Sequence, residues 1–200
     1  MKKSIYIFIL CLLISFFISY IIHASYHFTA KHPHYFTCYR LPLPTFSFKQ
    51  LQNEVVIDKI EVFKSKRKMK VYNNGNLLKT YQISLGKEPI GHKEKQGDFK
   101  TPEGLYNIKK KNKKGYSVAH MSLLISYPNS LDKKNANKNH WNPGGSIVIH
   151  GFMNNKSPLM GYLGHLFCSG WTDGCIAVTN SEVEEIYQHT PLGTQIEIFP

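Results

Sequence analysis

An almost unbroken apolar run from Ser4 to Ile22, preceded by Lys2 and Lys3, constrains this chain more than any other feature. As a helix, those residues rise about 1.5 Å each and span about 28 Å, close to the hydrocarbon thickness of a bilayer. The lysines lie on its amino side, which keeps the N-terminus cytoplasmic and sends everything beyond residue 25 outside. A cleaved signal has a shorter apolar core and small residues before the cut. Here the run ends in Ile22-His23-Ala24-Ser25-Tyr26, a poor A-x-A match. Residues 1–25 therefore read as an uncleaved anchor, with residues 4–22 in the cytoplasmic membrane and the remainder in the cell envelope on the periplasmic side. A secreted protein is the outcome if the segment is cleaved as a signal. Cys11 follows Leu10 rather than the small residue of a lipoprotein signal, and reads as filling of the membrane helix.

Residues 26–52 read as a linker, because Pro33, Pro42 and Pro44 interrupt any sustained period. His27, His32, His34 and Cys38 occur there at irregular spacing, which preforms no ligand geometry, so no metal site is expected. The formal charge is +12, but Arg40 and Arg67 are the only arginines among 25 basic residues. Dispersed lysines form a solvated surface, whereas base and phosphate readout favours the guanidinium fork, so nucleic acid is not an expected partner. Four cysteines are too few and too scattered for a disulfide framework, and no paired C-x-x-C suggests structural zinc.

The remainder, residues 53–200, is expected to form one β-rich domain. Val55–Phe63 alternates as a strand, and Lys68–Tyr72, Asn74-Gly75 and Leu77–Leu85 read as a hairpin, since Asn-Gly accepts the positive φ of a tight turn. Leu105–Ile108, Tyr116–Leu124, Ile147–His150, Cys175–Thr179 and Gln195–Phe199 are further short strands. One helix is clear: Ser181 and Glu184 have capping-box spacing, Val183 and Ile186 give an apolar side, and Pro191 ends it near Thr190. The fold class expected is mainly β, a mixed β-sandwich with one or two short helices, plus the N-terminal transmembrane helix.

Chemistry concentrates at Cys175, which follows Gly174 and opens an apolar strand in W-T-D-G-C-I-A-V-T-N at 171–180. A glycine before a thiol lets backbone approach a substrate closely, and amides around such a turn converge on a developing oxyanion. A thiol nucleophile also needs a base. His150, ending the strand I-V-I-H and followed by Gly151, is the best candidate. Each residue alone fits a plainer role, the cysteine as a small buried hydrophobe and the histidine as a satisfied half-buried side chain. Their joint occurrence beside glycines favours catalysis. His165 is a competing base ten positions before Cys175, and Cys168 either packs or cross-links with Cys175. Trp171 fits equally a wall of a substrate groove and a core aromatic.

The I-H-G at 149–151 followed by T-D-G-C-I-A-V-T-N at 172–180 resembles the L,D-transpeptidase catalytic domain family of YkuD type. K-I-E-V-F-K-S at the domain start, Leu85-Gly86-Lys87, and G-D-F-K-T-P-E-G at 97–104 agree with it. The resemblance implies an L,D-transpeptidase β-sandwich, no cofactor, and peptidoglycan stem peptides as substrate, with a wall-attached protein as a further partner. It implies Cys175 as nucleophile, His150 as proton acceptor and donor, the Gly151 carbonyl as orienter of the imidazole, and the Gly174 and Cys175 amides as oxyanion donors. Asn180 and the 97–104 segment would support the site; Trp171, Thr172 and Asp173, beside the nucleophile, are read as substrate contacts, and His165, which matches nothing in the family's core motif, as a contact at the rim. Two positions depart from the family pattern: Asp173 replaces a second histidine, and Ala177 replaces an arginine. The motif is similar to members associated with cutting peptidoglycan attachments as well as forming cross-links. Hydrolysis is therefore the alternative reaction, and a non-catalytic, membrane-tethered wall-binding module is the alternative of another class.

Overall fold

The computed structural model describes residues 55–154 and 170–200, with Ser15, Phe16 and Ser19 in a helix. The rest of the expected span 4–22, the linker 26–52, and His165 and Cys168 lie outside the described residues. Among the described residues no helix is long and apolar enough to cross a membrane. Contacts divide the chain into two units, Met1–Thr37 and Cys38–Pro200, and the β-rich domain belongs to the second.

Asn74 and Gly75 adopt φ of 48° and 78°, the paired positive values that close a two-residue hairpin between β2 (Lys68–Asn73) and β3 (Asn76–Gln82). β1 (Lys59–Phe63) runs antiparallel to β2 and parallel to β8 (Gln195–Phe199). β4 (Gly104–Asn112), β5 (Ser122–Ile125), β6 (Val148–His150) and β7 (Ile176–Ala177) extend the sheet in the order β3-β2-β1-β8-β4-β5-β6-β7. Alternating residues face the core: Ile60 and Val62, Met69 and Val71, Ile196 and Ile198 are all buried.

The expected β-sandwich takes the form of one continuous sheet curled on itself. Gly104–Asn107 of β4 pairs with β8, whereas the strand's later residues pair with β5 after a register shift between Ile108 and Lys110. Such a shift bends a strand, so β4 serves both halves. The curl brings the two sheet edges together just beyond β3. There Ser84 N donates to Ala177 O at 2.9 Å and Ala177 N donates to Ser84 O at 2.8 Å.

Several expected boundaries move for identifiable reasons. The strand expected from Val55 begins at Lys59, because Ile57 N is taken by His189 O at 2.7 Å. Only Ser122–Ile125 forms from the stretch expected over Tyr116–Leu124. The chain turns at Gly115 (φ 88°) and leaves Tyr116 and Val118 exposed. The strand expected over Cys175–Thr179 is confined to Ile176–Ala177, since Thr179 already caps a helix. That helix, Asn180–His189, uses Thr179 and Glu182 as its capping box, two residues before the expected Ser181–Glu184 pair. Glu184 instead lies 2.5 Å from His120 Nε2. The first helix in the domain, α1 (Ser130–Lys138), carries little apolar signal: Asp132 and Ala136 are its buried residues, and an Asn129–Asp132 capping box starts it. Asn180–His189 is accordingly α2.

The segment between β3 and β4 is held from inside. Lys64 is buried, and its Nζ donates to Gly91 O at 2.6 Å, Thr101 O at 3.0 Å and Glu103 Oε1 at 2.7 Å. Asp98 accepts from Lys93 Nζ at 2.7 Å and from the amides of Glu94, Lys95 and Lys100 at 2.8, 3.0 and 3.1 Å. Together they close the loop on itself and fix it to Lys64, the residue that follows β1.

Candidate active site

β6 and β7 are parallel, with Ile149 opposite Ile176 and His150 opposite Ala177. One residue earlier on that register, Cys175 falls beside Val148. Side chains alternate faces along a strand, so Cys175 and His150 share one face as diagonal neighbours, with Cα atoms about 8 Å apart at ordinary strand spacing. That pairing brings the two candidates, 25 positions apart in sequence, onto the same face of neighbouring strands.

His150 is buried, and its Nδ1 lies 2.5 Å from Gly151 O. A carbonyl only accepts, so Nδ1 carries the proton and the neutral ring presents Nε2 as the base. Trp171 packs edge-on against the imidazole, with ring centroids 5.6 Å apart and planes at 88°. Burial holds His150 below the ordinary histidine value, while the Gly151 carbonyl opposes that by favouring the protonated ring.

The Gly151 turn is packed from behind. A Cβ at Gly151 would lie 2.6 Å from Asn180 Oδ1 and 2.9 Å from Val183 Cγ1, so only glycine fits. Asn180 Oδ1 accepts from Phe152 N at 2.7 Å, and thereby fastens the turn that carries the orienting carbonyl to the start of α2.

Cys175 is a half-buried free thiol, whose Sγ donates to Ser146 O at 3.7 Å. Burial raises it above the ordinary thiol value; a backbone hydrogen bond from Val148 opposes the rise, the Asp173 charge adds to it, and Lys93 counters it. Both shifts favour the uncharged pair, thiol and neutral imidazole.

Gly174 has φ of 123°, a conformation L side chains rarely adopt, and a Cβ there would lie 2.5 Å from Lys100 O. Gly86 is equally enclosed: a Cβ would stand 2.0 Å from Phe99 O and 3.0 Å from Gly174 Cα. The Leu85-Gly86-Lys87 and 97–104 segments thus form the floor beneath the nucleophile turn. Thr172 braces the turn from within, since its Oγ1 donates to Cys175 O at 2.7 Å and accepts from Gly174 N at 3.3 Å. The Gly174 amide is therefore already engaged by a long bond. Asp173 points outward, with its Oδ1 2.7 Å from Lys87 Nζ. His165 lies outside the described residues.

Sequence reading assigned no role to two residues at this site. Ser146, at φ of 58°, presents its carbonyl to the thiol, and the only local hint is the preceding Asn142-Pro143-Gly144-Gly145 turn composition. Lys87 was visible as part of Leu85-Gly86-Lys87, but its partner Asp173 is 86 positions away. Among the described residues no three His, Cys, Asp or Glu side chains converge as a metal site.

This curled sheet, with a cysteine turn and a carbonyl-bound histidine on neighbouring strands, defines a class. The model of the L,D-transpeptidase catalytic domain, YkuD, matches residues 57–198, and the chain belongs to that family. The protein named "Putative L,D-transpeptidase YafK" of Escherichia coli (strain K12) is 29% identical over 133 residues, which cover 64% of this chain and 45% of that protein. The chain thus matches less than half the length of this curated relative. The crystal structure of the helical cell shape determining protein Pgp2 from Campylobacter jejuni aligns with a TM-score of 0.53 at 25% identity, covering 72% of this chain and 48% of that one. Bd1075 of Bdellovibrio bacteriovorus shares the fold, with a TM-score of 0.51 at 24% identity over 72% of this chain and 48% of its own.

Proposed function

We propose that this chain is a cysteine acyltransferase of the L,D-transpeptidase type that acts on peptidoglycan stem peptides in the cell envelope. The observation that carries the reading is the diagonal pairing of Cys175 and His150 across β6 and β7, with His150 Nδ1 committed to Gly151 O. His150 Nε2 takes the thiol proton as Sγ bonds to the carbonyl carbon that follows the L-centre of diaminopimelate. The carbonyl π electrons move to oxygen, and the Cys175 amide, with Gly174 beside it, donates to that oxyanion. Collapse breaks the C–N bond, the leaving amine receives the proton from Nε2, and a thioester remains. An acceptor amine, which gives up a proton to Nε2, then displaces sulfur to make a cross-link or a protein attachment, and Nε2 passes that proton to the thiolate.

Water in place of the amine gives hydrolysis at the same thioester. The half-buried thiol beside exposed Ser146 favours that second reading, because solvent reaches the site from this side. Membership of the family, and the likeness to Pgp2, a helical cell shape determining protein, support wall remodelling. Residues 4–22 hold the domain in the cytoplasmic membrane in this reading.

Mass spectrometry of muropeptides incubated with the purified chain tests it. Cross-linked or trimmed products are expected from the wild type and none from Cys175→Ala. His150→Ala should lose about 10²- to 10⁴-fold in rate. Unchanged muropeptides, together with salt-sensitive binding to sacculi, would instead support a wall-binding module.

A further inference from the structure

We propose that residues 113–118, in the loop between β4 and β5, dock on an anionic lipid surface, with the lysines on its head groups and Tyr116 and Val118 entering the interface. The proposal does not rest on the acyl-transfer reading and holds equally for a binding module. It places a membrane contact on the folded domain itself, separate from residues 4–22.

Charge of one sign gathers at this loop. No acidic residue lies between Glu103 and Asp132, and Lys109, Lys110, Lys111, Lys113 and Lys114 fall in that interval. Lys111 turns back to the domain, where its Nζ donates to Thr190 O at 2.8 Å and sits 4.4 Å from the Tyr187 ring centroid. Lys109, Lys110, Lys113 and Lys114 are exposed. Among the described residues no carboxylate pairs with any of the four. The acid at the foot of the loop, Glu184, is held by His120 Nε2.

Beside these charges stand Tyr116 and Val118, 86% and 71% exposed, the two barest large apolar side chains described beyond residue 54. Single exposed apolar residues are ordinary, but two flanking one buttressed residue make a patch. The backbone that carries them is pinned. Tyr116 N donates to Lys113 O at 3.1 Å, and Asn154 N donates to Val118 O at 3.0 Å. Asn154 Nδ2 donates to Ser117 O at 2.9 Å and Ala119 O at 3.1 Å. Ser117 Oγ donates to Ser122 Oγ at 3.1 Å and accepts from Ala119 N at 3.2 Å, so Ser117 faces in while its two neighbours face out.

Charge and apolar surface together select the partner. A phosphate- or carboxylate-bearing wall polymer is met by the lysines alone and leaves Tyr116 and Val118 in water. The interface of an anionic bilayer takes both. Ammonium groups meet lipid phosphates, the phenol ring lies at head-group depth with its hydroxyl wet, and Val118 reaches the acyl boundary.

The full chain is tested in vesicles of phosphatidylcholine alone and of phosphatidylcholine mixed equally with phosphatidylglycerol. Any hold exerted by residues 4–22 is common to both, so the difference belongs to the domain. Brief amine acylation, mapped by mass spectrometry, should find Lys113 and Lys114 about fivefold less modified on the anionic vesicles, the order of one lysine's attraction to such a surface. Exposed Lys68 on β2 should not change. Salt at about 0.5 M should cut the protection to about twofold or less. Brominated lipid should quench Tyr116→Trp beyond the wild type, whose tryptophans are Trp141 and Trp171. Adding Lys113→Gln and Lys114→Gln to that variant should remove the extra quenching. Equal modification of Lys113 and Lys114 on the two vesicles would overturn the proposal. Protection without extra quenching would overturn it too, because a diffuse ion layer does as much. Lipid-free sacculi that protect both lysines as well as the anionic vesicles do would assign the loop to a wall polymer instead.

Discussion

Cys175 and His150 occupy surroundings that push each toward its neutral form, which bears on how the site responds to pH. Burial is the larger cause for both, and at Cys175 the Asp173 carboxylate adds to it. Alkylation of Cys175 by iodoacetamide should therefore rise with pH to a midpoint above the ordinary thiol value, and Asp173→Asn should move that midpoint down. A midpoint below the ordinary value, or one indifferent to residue 173, would contradict the assigned electrostatics. His150 gives a prediction about stability. The unfolded chain takes up a proton at the ordinary value of 6.5, whereas the folded ring resists until lower pH. The stability His150 contributes is present above that value and lost as pH falls through the depressed folded pKa. Between about pH 7 and about pH 5, the wild type should lose thermal stability faster than His150→Gln. Parallel melting curves for the two proteins would show that residue 150 does not carry this proton linkage. The sequence announces Cys175 and His150 through their glycine neighbours and apolar strands. It is silent on Ser146 and on the pairing of Lys87 with Asp173, because those contacts join segments far apart in the chain.

At the scale of elements, the nucleophile turn is held by backbone-to-backbone packing that only glycine permits. Gly86→Ala isolates this effect, since Gly86 has no positive φ to confuse the result and its new Cβ would meet Phe99 O. Overpacking of this kind costs about 1–3 kcal/mol, to be read as a lower urea midpoint, and turnover should fall as Gly174 shifts. A midpoint equal to wild type would mean the loop yields freely and fixes nothing. α2 offers a paired test. Asn180→Ala removes the acceptor of Phe152 N and should cost about 1–3 kcal/mol while lowering kcat, because the Gly151 carbonyl then wanders. Thr179→Ala removes the cap of the same helix, costs about 1 kcal/mol, and should leave kcat nearly unchanged. Equal kinetic losses in the two variants would show that Asn180 acts only through helix stability. The capping pattern of α2 was legible in sequence as a type but not in register, since Thr179–Glu182 and Ser181–Glu184 share the same spacing. α1 escaped because its nine residues are mostly exposed and polar, leaving no apolar stripe to read.

The whole molecule owes its site to closure of the curled sheet. Alternating strands indicate a β fold, yet whether two sheets stack or one sheet curls depends on the length of β4 and its register shift, which are non-local outcomes. The Ser84–Ala177 bridge joins the sheet edges immediately beside the Cys175 turn. Hydrogen exchange should therefore protect the Ala177 amide as strongly as those of Ile196 and Ile198 in the central strand β8, although β7 is only two residues long. Rapid exchange at Ala177 would mean the edges part readily and the site is not held by closure.

Covalent capture bears on the nucleophile more directly than any of these. Intact-protein mass spectrometry of the chain, quenched in acid after brief incubation with a tetrapeptide donor, should reveal an adduct equal to the donor less its C-terminal amino acid. Peptide mapping should assign that adduct to Cys175, and Cys175→Ala should carry none. An adduct at another residue, or donor processing that persists in Cys175→Ala, would contradict the account.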